Sequence, residues 1–323
     1  MKIPPDSLVD RFGRPVNRLR VSITLRCNHA CIFCHREGIP ASQVRAELSA
    51  GDFGFVAEVA SSLGIVGFKL TGGEPLVRDD VVDIVSAISQ HVEDVSLVTN
   101  ASRLREFAQG LAEAGLSRVN VSLHSLREDV FRRITGGGSL SDVLEGIEAA
   151  IDAGLKVKLN YLVLSLNAGE FKDIVDYASR IGADLNVIEL IPIGTPSDVY
   201  RELHAGLSPV EDYLRRQAVK VWRAEFQNRP TYLMPSGIKV YVIKGFGNPY
   251  LCARCTRLRM SPDGKLQTCI YRPDLIVDAR DAILGRDVEG LKEAFRRATE
   301  LREPYFKLPE KKSSSPIITS RHA

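Results

Sequence analysis

The chain has 323 residues, a formal net charge of +3 and 44% hydrophobic residues. This length allows one large domain or a large domain with a smaller one, and the near-balanced charge argues against a dedicated nucleic-acid binder. Because no apolar run could span a bilayer and Met1–Pro5 lacks the apolar core of a signal peptide, we expect a cytoplasmic protein with no membrane partner.

Short apolar runs alternate with helical patterns over the first two-thirds of the chain. Leu19–Leu25 is the first predicted strand, and Ser49 and Asp52 later have the spacing of a helix N-cap. Glycines such as Gly64 and Gly115 end the helical patterns. The further predicted strands are Ile65–Leu70, Val95–Thr99, Arg118–Leu123, Lys156–Leu164 and Ala183–Leu190. This α/β pattern predicts a partial, TIM-like (βα)6 barrel; periodicity leaves a doubly wound sheet open as the alternative.

The strand–helix alternation stops after Pro192. From about residue 219 two strand patterns and a closing helix, Asp287–Arg297, indicate a small α+β region. We therefore predict a barrel at 1–218, a C-terminal region at 219–310 and a mobile tail at 311–323.

The six cysteines fall into two groups of three. Cys27, Cys31 and Cys34 have the spacing C-x3-C-x2-C. Four thiolates normally hold an iron–sulfur cube, so three leave one iron open to a substrate or cofactor. A structural zinc site is the alternative, with His29 or His35 as the fourth ligand.

Cys252, Cys255 and Cys269 form the second group. Three thiols again predict a cluster with an open iron, and zinc is again the alternative. Arg257 and Arg259 alternate, so their side chains lie on one side of an extended segment, where two guanidiniums suit phosphate or another anion.

Polar residues follow the predicted strands, and in a barrel they would converge on one rim. Gly72 and Gly73 would let the backbone approach a ligand closely, which suits the amino and carboxylate groups of a bound amino acid. Thr99, Ser122 and His124 end the next two strands.

Two resemblances follow from these motifs. The first cysteine group, with Phe33 before its last cysteine and the Gly-Gly-Glu-Pro edge at 72–75, resembles the radical S-adenosylmethionine superfamily. The pattern C-x2-C-x-R-x-R-x9-C at 252–269 resembles the GTP 3′,8-cyclase family of molybdenum-cofactor biosynthesis, and the likeness covers residues 10–310.

The resemblance implies two 4Fe–4S clusters, S-adenosylmethionine as cofactor and GTP as substrate. The residues implied to bind the clusters are Cys27, Cys31, Cys34, Cys252, Cys255 and Cys269; the first three, with Arg257 and Arg259, are implied to be catalytic. Those implied to line S-adenosylmethionine are Phe33, Gly72, Gly73, Glu74, Ser122 and Ile191. Those implied to contact GTP are Arg20, Lys69, Thr99, Lys158, Arg257 and Arg259.

The resemblance also implies the reaction and the partners. A 5′-deoxyadenosyl radical removes the ribose 3′ hydrogen of GTP, and C3′ then adds to C8 of guanine. Expected partners are a low-potential electron donor of ferredoxin or flavodoxin type, a downstream cyclic pyranopterin monophosphate synthase that receives the product, and a second copy in a homodimer.

This chain departs from the family pattern at four places. It lacks a terminal Gly-Gly pair, and Lys69, His124 and Ile191 stand where Arg, Asp and Met are common. Two alternatives stay open: another radical enzyme with an auxiliary cluster, for example a peptide-modifying one, and a non-catalytic metal-binding protein.

Overall fold

The structure is a computed structural model that describes residues 7–39 and 44–308. The tail predicted at 311–323 lies outside the described residues. The strands are β1 (Arg18–Thr24), β2 (Gly67–Gly72), β3 (Asp94–Thr99), β4 (Arg118–Ser122), β5 (Lys156–Val163), β6 (Asp184–Glu189), β7 (Lys220–Arg223), β8 (Pro230–Leu233), β9 (Lys239–Ile243), β10 (Arg257–Met260), β11 (Lys265–Gln267) and β12 (Ile276–Asp278). The helices are α1 (Ala50–Ser62), α2 (Val81–Ser89), α3 (Leu104–Glu113), α4 (Glu128–Thr135), α5 (Leu140–Asp152), α6 (Phe171–Arg180), α7 (Ser197–Leu203), α8 (Ser208–Gln217), α9 (Pro249–Ala253), α10 (Arg280–Leu284) and α11 (Val288–Glu300).

Strands β1 to β6 pair in parallel and in chain order. A doubly wound sheet would reverse its order at a switch point, so the consecutive order excludes that alternative. The predicted partial (βα)6 barrel is confirmed, and over the described residues its sheet stays open.

The C-terminal strands extend both edges of this sheet. Strand β9 pairs in parallel with β6 and continues through antiparallel β8 and β7, whereas β10 pairs in parallel with β1 and continues through antiparallel β11 and β12. The second cysteine group therefore lies at the edge next to β1, the strand that precedes the first group.

The barrel strands separate apolar and polar side chains onto opposite faces. In β1, Leu19, Val21 and Ile23 are buried in the core between sheet and helices. On the concave face, the Lys69 Nζ donates to the Asn120 Oδ1 at 3.1 Å, although β3 lies between their strands. The interior is thus polar, as a cavity for an ionic ligand requires.

An ion cluster fills the concave face at the amino ends of the strands. Asp94 accepts from Arg18 and lies 3.0 Å from the Arg118 Nη1. The Arg18 side chain crosses over β2, where a Cβ on Gly67 would lie 2.3 Å from the Arg18 Nη1. This cluster occupies the amino end, so the open space lies at the carboxyl rim.

Local signals in the sequence agree with the structure. Ser49 and Asp52 form the predicted capping box, in which the Asp52 Oδ2 accepts from the Ser49 N–H at 2.9 Å. Gly115 has φ +91, the left-handed conformation expected after a helix. No helix within the described ranges is both long and apolar enough to cross a membrane.

Candidate active site

A cavity of about 420 Å³ lies at the carboxyl rim, and all six cysteines line it. This volume is that of a site for a cofactor or nucleotide. Its walls include the residues that follow β1, β2, β3, β4 and β6, together with the C-terminal cysteine segment. The predicted convergence on one rim is therefore observed.

The loop that carries the first cysteine group is fixed to the end of α4. The Ala30 N–H donates to the Thr135 carbonyl at 3.0 Å, and the Ile32 N–H donates to the Ile134 carbonyl at 3.1 Å. These bonds hold the chain on both sides of Cys31.

The thiols of the first group lie close enough to affect one another's ionisation. Burial, with smaller contributions from Cys34 and Cys27, raises the pKa of Cys31 to about 12. Iron needs thiolates, so cluster formation here would release protons. Three soft donors on one ordered loop fit an iron–sulfur cluster with one open iron.

Phe33 packs against His124, the residue that stands where the resemblance expects Asp. Their rings meet edge to face with centroids 5.0 Å apart. The His124 Nδ1 accepts from the Leu162 N–H at 3.3 Å, which assigns the neutral ring's proton to Nε2. Burial lowers the pKa of His124 to about 4, so His124 is an uncharged packing partner for the cysteine loop.

The Gly-Gly edge packs against the beginning of the cysteine loop. The Gly73 N–H donates to the Thr24 carbonyl and the Glu74 N–H to the Arg26 carbonyl, both at 2.8 Å. A Cβ on Gly73 would lie 2.1 Å from the Arg26 oxygen. We expected these glycines to let a ligand approach the backbone closely. The structure adds that they let the neighbouring backbone approach closely.

The Glu74 carboxylate ties the ends of β2 and β3 together. It accepts from the Leu76 N–H at 3.0 Å, the Thr99 hydroxyl at 2.7 Å and the Asn100 N–H at 2.6 Å. Burial raises the pKa of Glu74 to about 7, against the opposing effect of these donors. Glu74 and Thr99 both line the cavity, but their polar atoms are already engaged within the protein.

The second cysteine group rests on two buried arginines that the sequence did not single out. The Arg14 Nη1 donates to the Cys252 carbonyl at 2.8 Å, and the Arg302 Nη2 donates to the Cys255 carbonyl at 2.6 Å. Asp10 pairs with both arginines. Their positions, far apart in sequence, gave no local signal.

Charge distinguishes Cys255 from the other cysteines of its group. Burial raises the pKa of Cys252 and of Cys269. For Cys255 burial also raises the pKa, but the guanidiniums of Arg257 and Arg302 outweigh it and lower the pKa overall. The charge of these arginines thus favours ionisation of Cys255 over that of Cys252 and Cys269.

Seven arginines line the cavity together with the two cysteine groups: Arg14, Arg20, Arg36, Arg229, Arg257, Arg259 and Arg302. Burial, with the repulsion of neighbouring arginines, lowers the pKa of Arg257 to about 9 and that of Arg229 to about 10. Both remain charged at neutral pH and make the cavity strongly electropositive. Arg229, the residue directly before β8, was not identified from the sequence because its segment carries no motif.

The other predicted site residues divide between the cavity and the barrel interior. Ser122 and Ile191 line the cavity, as do Gly72 and Gly73. Lys69 and Lys158 are absent from its lining among the described residues. The Lys158 Nζ instead lies 3.6 Å from the Asp184 Oδ2 and 3.7 Å from the Tyr241 ring centroid.

The geometry of the cysteines bears on the zinc alternative. Within 7–39 and 44–308, no three His, Cys, Asp or Glu side chains converge closely enough to enclose a single metal ion. In a four-iron cube each thiolate binds a different iron, so the sulfurs are spread more widely.

Two family models match the chain in succession. The Radical SAM superfamily matches residues 21–178, and Molybdenum Cofactor Synthesis C matches residues 183–308. Together they account for both cysteine groups.

Solved structures show the same fold. The Streptococcus suis protein SuiB bound to S-adenosylmethionine has a TM-score of 0.60 at 15% identity, covering 88% of this chain and 67% of its own. Native anSMEcpe with bound AdoMet has a TM-score of 0.58 at 16% identity, covering 87% of this chain and 81% of its own.

Curated relatives are similar over nearly the whole length. A probable GTP 3′,8-cyclase of Thermococcus kodakarensis is 45% identical over 93% of this chain and 100% of its own length. A probable GTP 3′,8-cyclase of Saccharolobus solfataricus is 42% identical over 93% of this chain and 99% of its own. With both cysteine groups on one basic cavity of a radical S-adenosylmethionine fold, the chain belongs to the GTP 3′,8-cyclase family.

Proposed function

We propose that this chain converts GTP to (8S)-3′,8-cyclo-7,8-dihydroguanosine 5′-triphosphate, the first step of molybdenum cofactor biosynthesis. One observation carries the proposal: two groups of three cysteines and seven arginines line a single cavity. A triphosphate carries about four negative charges, which such a lining would neutralise.

Two 4Fe–4S clusters are part of the proposal. Cys27, Cys31 and Cys34 would hold the first, whose open iron would bind S-adenosylmethionine beside Phe33 and Gly73. The cofactor supplies, on reduction, the 5′-deoxyadenosyl radical that removes the ribose 3′ hydrogen. The second cysteine group would hold the other cluster, with its open iron toward guanine.

The residues of this chain bind and enclose the substrate. Arg20, Arg257 and Arg259 would bind the phosphates through their guanidinium N–H groups, and Arg229 adds positive charge. Lys69 and Lys158 belong to the proposed GTP site only if the phosphate chain reaches the barrel interior below the cavity. The enclosing walls exclude water from a reactive carbon radical.

The proposal extends to partners and location. A low-potential electron donor is needed because cleaving the sulfonium consumes an electron. We propose a ferredoxin or flavodoxin for this role, hand-off of the product to a cyclic pyranopterin monophosphate synthase, a homodimer, and a reducing cytoplasm in which the free cysteines stay available for iron.

An anaerobic assay tests this function. The reconstituted protein is given S-adenosylmethionine, dithionite and GTP, and we expect 5′-deoxyadenosine together with a cyclised GTP product. Deoxyadenosine without loss of GTP would refute the substrate and favour the peptide-modifying alternative.

Two cysteine variants separate the clusters. We expect Cys27→Ala to lose about half of the iron and all cleavage of S-adenosylmethionine. Cys269→Ala should also lose about half of the iron but retain cleavage without cyclisation. Zinc without sulfide in the wild type would refute both assignments.

A further inference from the structure

A carboxylate binds the cavity arginines before any ligand arrives. Glu37 is 6% exposed and lies three residues after Cys34. It accepts from the Arg20 Nε at 2.9 Å and also from the Arg20 Nη2, the Arg259 Nη2 and the Thr71 hydroxyl. One side chain therefore joins β1, β2 and β10.

The backbone at Glu37 adopts a conformation that few residues adopt. Arg36 has φ +47 and Glu37 has φ +54, consecutive left-handed values outside glycine. Such outliers persist where the surroundings hold them, and they concentrate at functional sites. Here the strained turn directs the Glu37 side chain onto the two arginines.

The same turn connects the two cysteine groups. It begins next to Cys34 and ends at Gly38, where an added Cβ would lie 3.1 Å from the Ile270 Cγ1. Ile270 directly follows Cys269. Moving Glu37 would therefore disturb the approach of one group to the other.

The arginines keep donors for a ligand while Glu37 holds them. Among the described residues, the Arg20 Nη1 has no hydrogen-bond partner, nor do the Nε and Nη1 of Arg259. Both side chains line the cavity. Burial raises the pKa of Glu37, but Arg20 and Arg259 lower it far more, so the carboxylate is ionised.

We propose that Glu37 is a positioning residue: it fixes Arg20 and Arg259 as a preset clamp for the phosphate chain. The inference rests on the proposed function for the identity of its ligand, GTP. Two free guanidiniums in this cavity would repel each other and would lose side-chain freedom on binding phosphate. Glu37 removes both costs before binding occurs.

The opposite hypothesis makes the opposite prediction. If Glu37 only occupied the phosphate position, removing its charge would strengthen anion binding. If Glu37 positions the clamp, Glu37→Gln weakens binding although the cavity becomes more positive. The sign of the change in affinity decides between them.

The test uses the reconstituted full-length protein and two probes, GTP and inorganic tripolyphosphate. We expect Glu37→Gln to weaken tripolyphosphate binding about tenfold, the value of one charge-assisted hydrogen bond. The KM for GTP should rise by a similar factor with kcat changed less than about threefold. In an Arg259→Met background the added effect should fall below about threefold.

Glu211→Gln is the matched control. Glu211 is a buried carboxylate (8% exposed) that accepts from Lys244, and neither residue lines the cavity. It should leave both affinities unchanged. If Glu37→Gln does not fold, as judged by Tm and iron content, Thr71→Val serves as the second variant. It removes the hydrogen bond from the Thr71 hydroxyl to the Glu37 carboxylate and should weaken binding in the same direction.

The outcomes separate the two hypotheses. Tripolyphosphate binding that is unchanged or tighter in Glu37→Gln, in an enzyme that cyclises GTP, would overturn the positioning role alone. Wild-type protein that leaves GTP intact, yet binds tripolyphosphate in a Glu37-dependent way, would overturn the proposed substrate and support the clamp.

Discussion

The contact between the Gly-Gly edge and the cysteine loop can be tested with one methyl group. In Gly73→Ala the new Cβ would lie 2.1 Å from the Arg26 oxygen and 2.7 Å from the Leu25 oxygen. Gly73 does not have a positive φ, so the perturbation is steric rather than conformational. The segment that must move directly precedes Cys27.

The magnitude follows from the contacts that this movement breaks. Clearing the overlap requires a shift of about 1 Å, because real Cβ atoms essentially never approach within 3.0 Å. The shift strains two backbone hydrogen bonds, from Gly73 to Thr24 and from Glu74 to Arg26, worth about 1 kcal/mol each. Overpacking adds about 1–3 kcal/mol, so we expect a loss of about 3–5 kcal/mol.

The assay compares Gly73→Ala with Gly169→Ala, whose added Cβ would meet nothing within 4 Å. We expect Tm of the metal-free protein to fall by roughly 6–15 °C in the first variant. Deoxyadenosine formation should fall about a hundredfold, since a displacement of about 1 Å misaligns the reacting atoms. Equal Tm and equal iron content in the two variants would refute the packing described here.

Two further predictions concern the second cysteine group. In metal-free protein between about pH 6 and 9, Cys255 should be alkylated at lower pH than Cys31, because the pKa of Cys255 is lowered whereas that of Cys31 is raised to about 12. Both thiols are partly exposed, so peptide mass spectrometry that showed coincident pH profiles would contradict the charge argument. Arg302→Met should lower the free energy of unfolding by about 3 kcal/mol, because it leaves buried Asp10 with one partner fewer. The exposed Arg11→Met serves as its control, and denaturant titrations that gave equal losses for the two variants would count against the buried pair.

The sequence located the barrel strands well because their signal is local. Each strand is a short apolar run, and glycines mark the helix ends before β4, β5 and β6. Strands β1 and β3 to β6 therefore fall within a residue or so of their predicted bounds. Strands β8, β11 and β12 were missed. They have only three or four residues, and β8 begins with proline, so none of them carries a periodic pattern.

The residues of the candidate site likewise fall into those that the sequence reveals and those that only the fold brings together. Each cysteine group was visible because its spacing is fixed by the covalent chain. Arg14, Arg229 and Arg302 were not, since only folding brings them beside the cysteines. None of the three lies within a strand or helix, so no periodic pattern marks them in the sequence.

By itself the sequence identified the candidate cluster ligands and the candidate anion-binding residues. Two groups of three cysteines and two alternating arginines are properties of short segments, so they are visible without the fold. The tertiary structure decided that both triplets face one cavity, because β10 pairs with β1 and so sets Arg259 beside Arg20. It also decided that Glu37 binds Arg20 and Arg259 in the absence of a ligand. Glu37 reaches both only through a strained turn, and backbone strain of that kind is invisible in a sequence.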